Sequence, residues 1–231
     1  MSLREHSSQD FEAELESVRQ RLFEMGRQVD HVLASCGRAL VKGDANLCRR
    51  ILIEDKETDS MELGIDHLCL EILARRQPVA GDLRLLTSAL KLVIDLERVG
   101  DLGVSIAARV VELGHEPPLV PSHDLQLMLA TAREMLAEAV GALETEDSGL
   151  ARHAIAQDEV VDAYYAKIFN DVLSLMRANP DNVFRATRVQ SISKYIERIG
   201  DHATNIAERV IFILTADDIR HAARMRRDDF S

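Results

Sequence analysis

Residues Lys194–Arg209 read KYIERIGDHATNIAER, and residues Asp95–Arg109 read DLERVGDLGVSIAAR. Glu97 and Asp101 stand 100 positions before Glu197 and Asp201. Both stretches otherwise read as helix. On a helix, i and i+4 lie one turn apart on one face, so each pair sets two like charges side by side. Such a pair costs an isolated helix roughly 0.2–0.5 kcal/mol. The cost is repeated in two long, apolar-rich helices, which points to a cation as the group that offsets it.

The totals agree with a helical chain. There are 231 residues, enough for one large or two small domains, each able to bury a core. Hydrophobic residues make up 46% and aromatics only 4%, with 5 prolines, 11 glycines and no tryptophan, a mix with few helix breakers. An all-α protein is expected. The net charge of −11 argues against a nucleic-acid partner, which calls for a basic footprint. The small basic run Arg224–Arg227 reads as solvated tail. No apolar run approaches the ~20 residues of a membrane span, and the first residues, MSLREHSSQDFEAELE, lack a signal-peptide core. Cys36, Cys48 and Cys69 are odd in number and show no CxxC spacing. They read as reduced core thiols of a cytoplasmic protein.

Taken in order, the chain divides into six helices. The first is expected over 10–42, with Phe11, Leu15, Val18, Leu22, Met25, Val29, Val32, Cys36 and Leu40 recurring every three or four residues. Gly43 stops it and Asp44 caps the next. The second runs over 45–76 to a break at Pro78, and the third over 79–113. His115–Pro121 is the clearest linker. A fourth helix follows from a Ser122 cap to about Glu146, with Leu125, Leu129, Ala132, Leu136, Ala139 and Leu143 as its stripe. Asp147-Ser-Gly149 restarts the chain, and a fifth helix reaches about Ala178. Asn179 caps a sixth, with Pro180 at its first position, running to about Thr215. The plan is an internal duplication of two three-helix units, 1–115 and 116–231.

Each half carries two acidic i,i+4 pairs on consecutive helices: Asp55/Asp59 with Glu97/Asp101, and Asp158/Asp162 with Glu197/Asp201. A short turn makes such helices antiparallel neighbours, with residues equally far from the turn at one height. The midpoints of 59 and 97, and of 55 and 101, both fall on Pro78. Those of 162 and 197, and of 158 and 201, both fall on the Asn179–Pro180 bond. The pairs therefore share a height in both halves. If they also face each other, four carboxylates converge per half, and a hard cation, iron or manganese suits such an oxygen-rich place. Neutralisation by Arg98, Arg109, Arg198 or Arg209 is the competing account, but an arginine one residue after an acid is expected to point off that face. Gly100 and Gly200, mid-helix, each cost about 1 kcal/mol relative to alanine, which close helix packing or close approach of a cation would explain. His202, Asn205 and Glu208 extend the second set, where the first has Leu102, Ser105 and Ala108, so the second is expected to hold metal more strongly.

At these residues the chain resembles the PhoU family of phosphate-transport regulators. The resemblance spans about 10–215. It rests on the two ERxGD segments (Glu97–Asp101, Glu197–Asp201), on RRQPVAGDLR (Arg75–Arg84), and on IEDKETDSMELGIDHLCLEIL (Ile53–Leu73). It implies two pseudo-symmetric three-helix bundles, with E/DxxxD motifs holding divalent or trivalent metal ions: iron, zinc, manganese or magnesium. Position by position, those motifs are Asp55/Asp59, Glu97/Asp101, Asp158/Asp162 and Glu197/Asp201. It also implies a cytoplasmic, non-catalytic adaptor, often a homodimer, peripheral at the inner membrane through its partners. Those partners are the ATPase subunit of the phosphate ABC importer and a sensor histidine kinase, and the adaptor represses the phosphate-starvation response and phosphate uptake.

The residues speak against two other classes. A ferritin-like di-iron carboxylate protein needs a Glu-x-x-His on each of two helices, and the one helix-associated match is Glu112-Leu-Gly-His115. A metal-dependent hydrolase needs a nucleophile, base and oxyanion arrangement that no motif supplies. GxGxxG and GxxxxGK are both absent, so nucleotide or free phosphate is not expected to bind by those means.

Overall fold

A computed structural model describes residues 3–114 and 122–219. The proposed linker at 115–121 and the basic run 224–227 lie outside the described residues. Among the described residues there are helices and no strands. The helices are α1 (Leu3–Lys42), α2 (Ala45–Arg76), α3 (Ala80–Leu113), α4 (Ser122–Glu144), α5 (Ser148–Ala156), α6 (Asp158–Ala178) and α7 (Val183–Thr215), with a 3₁₀ turn at Pro180–Asn182.

The local signals act as the sequence implies. Gly43 takes φ 63°, the left-handed turn that ends α1. The Asp44 carboxylate accepts from the backbone N–H groups of Asn46 (2.9 Å) and Leu47 (3.1 Å), starting α2. Asp147 does the same for Gly149 (2.8 Å) and Leu150 (3.3 Å) at α5. Asn179 accepts from Asp181 N–H at 3.0 Å, with Pro180 at the first position of the turn.

Three boundaries differ from expectation. The last helix, expected from Pro180, opens as the 3₁₀ turn and is α-helical only from Val183. The first helix begins at Leu3, about two turns earlier than its apolar stripe, because nothing in the polar stretch before Phe11 breaks a helix. The expected fifth helix is two, divided at Gln157. The Gln157 N–H is shared between the carbonyls of His153 and Ala154 (both 3.2 Å), a tightening from i−4 to i−3 bonding that interrupts the helix. Its side-chain amide donates to Glu138 Oε2 of α4 at 3.1 Å, which ties the break to α4.

The α1 stripe Leu15, Val18, Leu22, Met25, Val29, Val32 and Cys36 is buried throughout, as is the α4 stripe from Leu125 to Leu143. They meet in one core cluster to which all seven helices contribute. α3 packs on α7 and α1 on α4, which joins the halves; α2 lies outside α1 and α3, and α6 outside α4 and α7. A Cβ added at Gly26 would come within 2.7 Å of Val140 Cγ1, so a glycine there lets α1 and α4 approach closely. The ion pair Arg133–Asp30 (2.8 and 3.0 Å) closes the same seam. Cys36, Cys48 and Cys69 are buried and free of disulfides. Burial pushes the Cys36 and Cys69 thiols up to about 12, so they stay protonated and unreactive.

Candidate functional site

The α2–α3 and α6–α7 hairpins bring the acidic pairs to the same height, as the midpoints require, and in both halves an acid faces the opposite glycine. Asp55 Oδ1 lies 2.7 Å from where a Cβ of Gly100 would stand. Asp158 Oδ1 lies 3.4 Å from the corresponding point at Gly200. The glycines leave room for a carboxylate against the neighbouring backbone, and that is the use of a residue otherwise costly mid-helix.

In the first half the acids act on one another across the interface. Burial, then Asp59 and Asp101, push the Asp55 carboxyl up to about 6. Burial and Asp101 push Glu97 up to about 6, against the pull of Arg98. Glu62, one turn beyond Asp59, joins the group: its carboxyl is raised by burial, Asp66, Asp59 and Asp101. Thr58, fully buried beside Asp55 and Gly100, has a hydroxyl with no hydrogen-bond partner. Arg98 does not point off the face. Its long side chain folds back to reach Glu97 at 3.4 Å and Asp101 at 3.1 Å, while remaining 56% exposed on the rim.

The second half is built differently. Asp201 is raised by burial and Glu197, with Asp162 adding to this and Lys194 opposing it. Lys194 Nζ donates to Glu197 Oε1 at 2.6 Å and rests 5.4 Å from the centroid of the Tyr165 ring. The other Glu197 oxygen is buried without a partner. Where the first half has Thr58, Glu62 and Ile94, the second has Val161, Tyr165 and Lys194. The second set thus has a methyl, a ring and a cation in place of a hydroxyl, an acid and an apolar residue. His202 does not add to the second set. Its Nδ1 sits 2.9 Å from Asp95 Oδ1 on α3, and Asn205 is exposed. The first set holds one more carboxylate, Glu62, and each set has one cation at its acids, Arg98 in the first and Lys194 in the second. Among the described residues, no three carboxylate, imidazole or thiol groups are yet close enough to grip one ion, so the side chains would have to draw together on binding.

Between the two sets runs a polar seam. Buried Asp95 receives His202 and, at 3.1 Å, Arg209 Nε from α7. The duplicated position of Asp95 is Tyr195, and it is hydrogen-bonded to Arg109, the duplicate of Arg209. Glu112, the acid of the Glu-x-x-His match, is held instead by Arg109 (2.6 Å) and Arg188 (2.7 Å), and His115 lies outside the described residues. Glu62 was open to sequence reading, being seven residues past Asp55 on the same face. Lys194 was open to it as well, one turn before Glu197. Asp95 was not, because it occupies an apolar-face position whose partners lie over a hundred residues away.

A family model described as PhoU domain matches residues 22–110 and again 125–210. A "Phosphate-specific transport system accessory protein PhoU homolog" of Pseudomonas putida is 37% identical over 97% of this chain and 88% of its own length. The "Phosphate-specific transport system accessory protein PhoU" of Escherichia coli K12 is 32% identical over 96% and 92%. The crystal structure of PhoU from Pseudomonas aeruginosa superposes with a TM-score of 0.85 at 36% identity, covering 90% of this chain and all of that one. The phosphate transport system regulatory protein PhoU from Streptococcus pneumoniae superposes at 0.83 and 26% identity, covering 90% and 98%.

Proposed function

This chain belongs to the PhoU family, and from that premise we propose that it is a regulatory accessory protein of phosphate uptake rather than an enzyme. It holds down the phosphate-starvation response when phosphate is plentiful. It does so as an adaptor between the ATPase subunit of a phosphate ABC importer and a sensor histidine kinase. Its place is the cytoplasm, at the inner membrane through those partners, with a homodimer as its working form. The observation that carries the reading is the match to transport accessory proteins across almost the whole chain, both halves included. Among the described residues no helix is long and apolar enough to cross a membrane, which agrees with an adaptor that borrows its membrane contact.

We infer that the carboxylate sets hold a metal ion once their side chains draw together. Asp55, Asp59, Glu97 and Asp101, with Glu62 at the edge, would hold one in the first half. Asp158, Asp162, Glu197 and Asp201 would do so in the second. Raised carboxyls, and a buried Thr58 hydroxyl and Glu197 oxygen without hydrogen-bond partners, support a hard cation at these sets. A bound iron, zinc, manganese or magnesium ion would cancel the repulsion and tie each outer helix to its neighbour. The test is genetic and biochemical together. Cells lacking the gene should express a phosphate-starvation reporter in phosphate-rich medium, and this chain should silence it and retain the importer ATPase in pull-downs. A silent reporter in the deletion, or phosphoester turnover by the pure protein, would refute the adaptor role.

A further inference from the structure

The pseudo-symmetry exposes a second kind of site, away from the carboxylates and independent of the adaptor reading. Where α7 begins and α3 ends, the Glu112 carboxylate lies between Arg109 and Arg188, at 2.6 and 2.7 Å. Arg188 also approaches the Thr187 hydroxyl at 3.4 Å. This is an oxyanion held by two guanidinium groups, and the oxyanion is the protein's own.

The duplicated place, where α3 begins and α7 ends, has a cavity of about 40 Å³ lined by Thr87, Ser88, Lys91, Arg209 and Phe212. Thr87 corresponds to Thr187 and Arg209 to Arg109. Lys91, one turn after the counterpart of Arg188, supplies the second cation. Phe212 stands where Glu112 stands, and Arg209 pairs instead with Asp95 at 3.1 Å, so Lys91 is the uncompensated cation of this copy. Among the described residues Lys91 has no ion pair, and the nearly buried Ser88 hydroxyl makes no hydrogen bond. Arg209 gives its Nε to Asp95, which fixes the guanidinium in place. The volume takes roughly three water-sized spheres, the scale of one small tetrahedral anion.

We propose that this cavity binds a small tetrahedral oxyanion, inorganic phosphate or sulfate, in the position that Glu112 fills in the other half. Lys91 supplies the net charge, Arg209 the N–H groups that Asp95 does not occupy, and Ser88 a neutral donor. The experiment is calorimetric titration of the full chain with inorganic phosphate, then with sulfate. Wild type should take one phosphate per chain at millimolar strength or tighter. Lys91→Met should weaken binding by about tenfold or more, the scale of a lost charge-assisted contact. Phe212→Glu should abolish it by supplying the missing carboxylate, and Glu112→Ala should open the other copy and add a second equivalent. Circular dichroism checks that each variant folds; should Phe212→Glu unfold, Lys91→Met and Glu112→Ala still decide. Equal affinity for the two anions marks a general oxyanion site, and preference for phosphate marks a phosphate site. No binding by the wild type, or binding unchanged in Lys91→Met, would overturn the proposal. Neither result would touch metal binding or partner capture.

Discussion

Asp55 Oδ1 sits 2.7 Å from the point where a side chain at Gly100 would begin. The glycine of one helix makes room for the carboxylate of the next. Gly100→Ala should therefore displace the carboxylate rather than the helix. The helix gains about 1 kcal/mol of propensity while the Asp55 side chain swings aside, so stability changes little. Metal loading should fall. Gly200→Ala, with 3.4 Å of room to Asp158, should leave loading nearly intact. Thermal unfolding and elemental analysis of the two variants check this.

Asp55 and Glu97 are both pushed up to about 6, first by burial and then by neighbouring acids. Their folded values exceed the ordinary 3.8 and 4.5, so the folded chain binds more protons than the unfolded one between about pH 4 and 6. Their contribution to stability is whole below the ordinary values and is lost as pH rises through about 6. The metal-free wild type should therefore lose more Tm between pH 5 and 7 than Asp55→Asn/Glu97→Gln. Equal losses would contradict the assignment.

Asp95 is buried and holds both His202 and Arg209 of the opposite half. Asp95→Ala leaves Arg209 without its acid, and should cost about 3 kcal/mol by urea unfolding, the low end for a broken buried pair. Tyr195→Phe, at the duplicated position, loses only one neutral-acceptor bond and should cost about 1 kcal/mol.

Gly26 leaves no space for a methyl beside Val140. Gly26→Ala should destabilise by about 1–3 kcal/mol through overpacking of the α1–α4 seam, despite its better helix propensity. Chemical denaturation would show it, and an unchanged midpoint would mean the seam yields.

The helices, caps and duplication were legible because their signals are local: Gly43 and Asp44, Asp147, Asn179 with Pro180. The height of the acidic pairs was legible because an antiparallel hairpin turns it into arithmetic. What each long side chain does at that height was not. Arg98 folding back is a choice of rotamer within α3, and His202 turning to Asp95 depends on how α3 meets α7. The break at Gln157 was hidden for the same reason, since Glu138 of another helix holds it.

The most direct test of the metal account is elemental mass spectrometry of protein purified without chelator. It needs two variants alongside, Glu97→Gln/Asp101→Asn and Glu197→Gln/Asp201→Asn. Near-stoichiometric iron, zinc, manganese or magnesium is expected in the wild type. The loss should be greater in the first variant, because Glu62 adds a fifth carboxylate to the first set alone. A wild type free of metal in buffer containing these ions, or one whose metal survives both changes, would contradict the account.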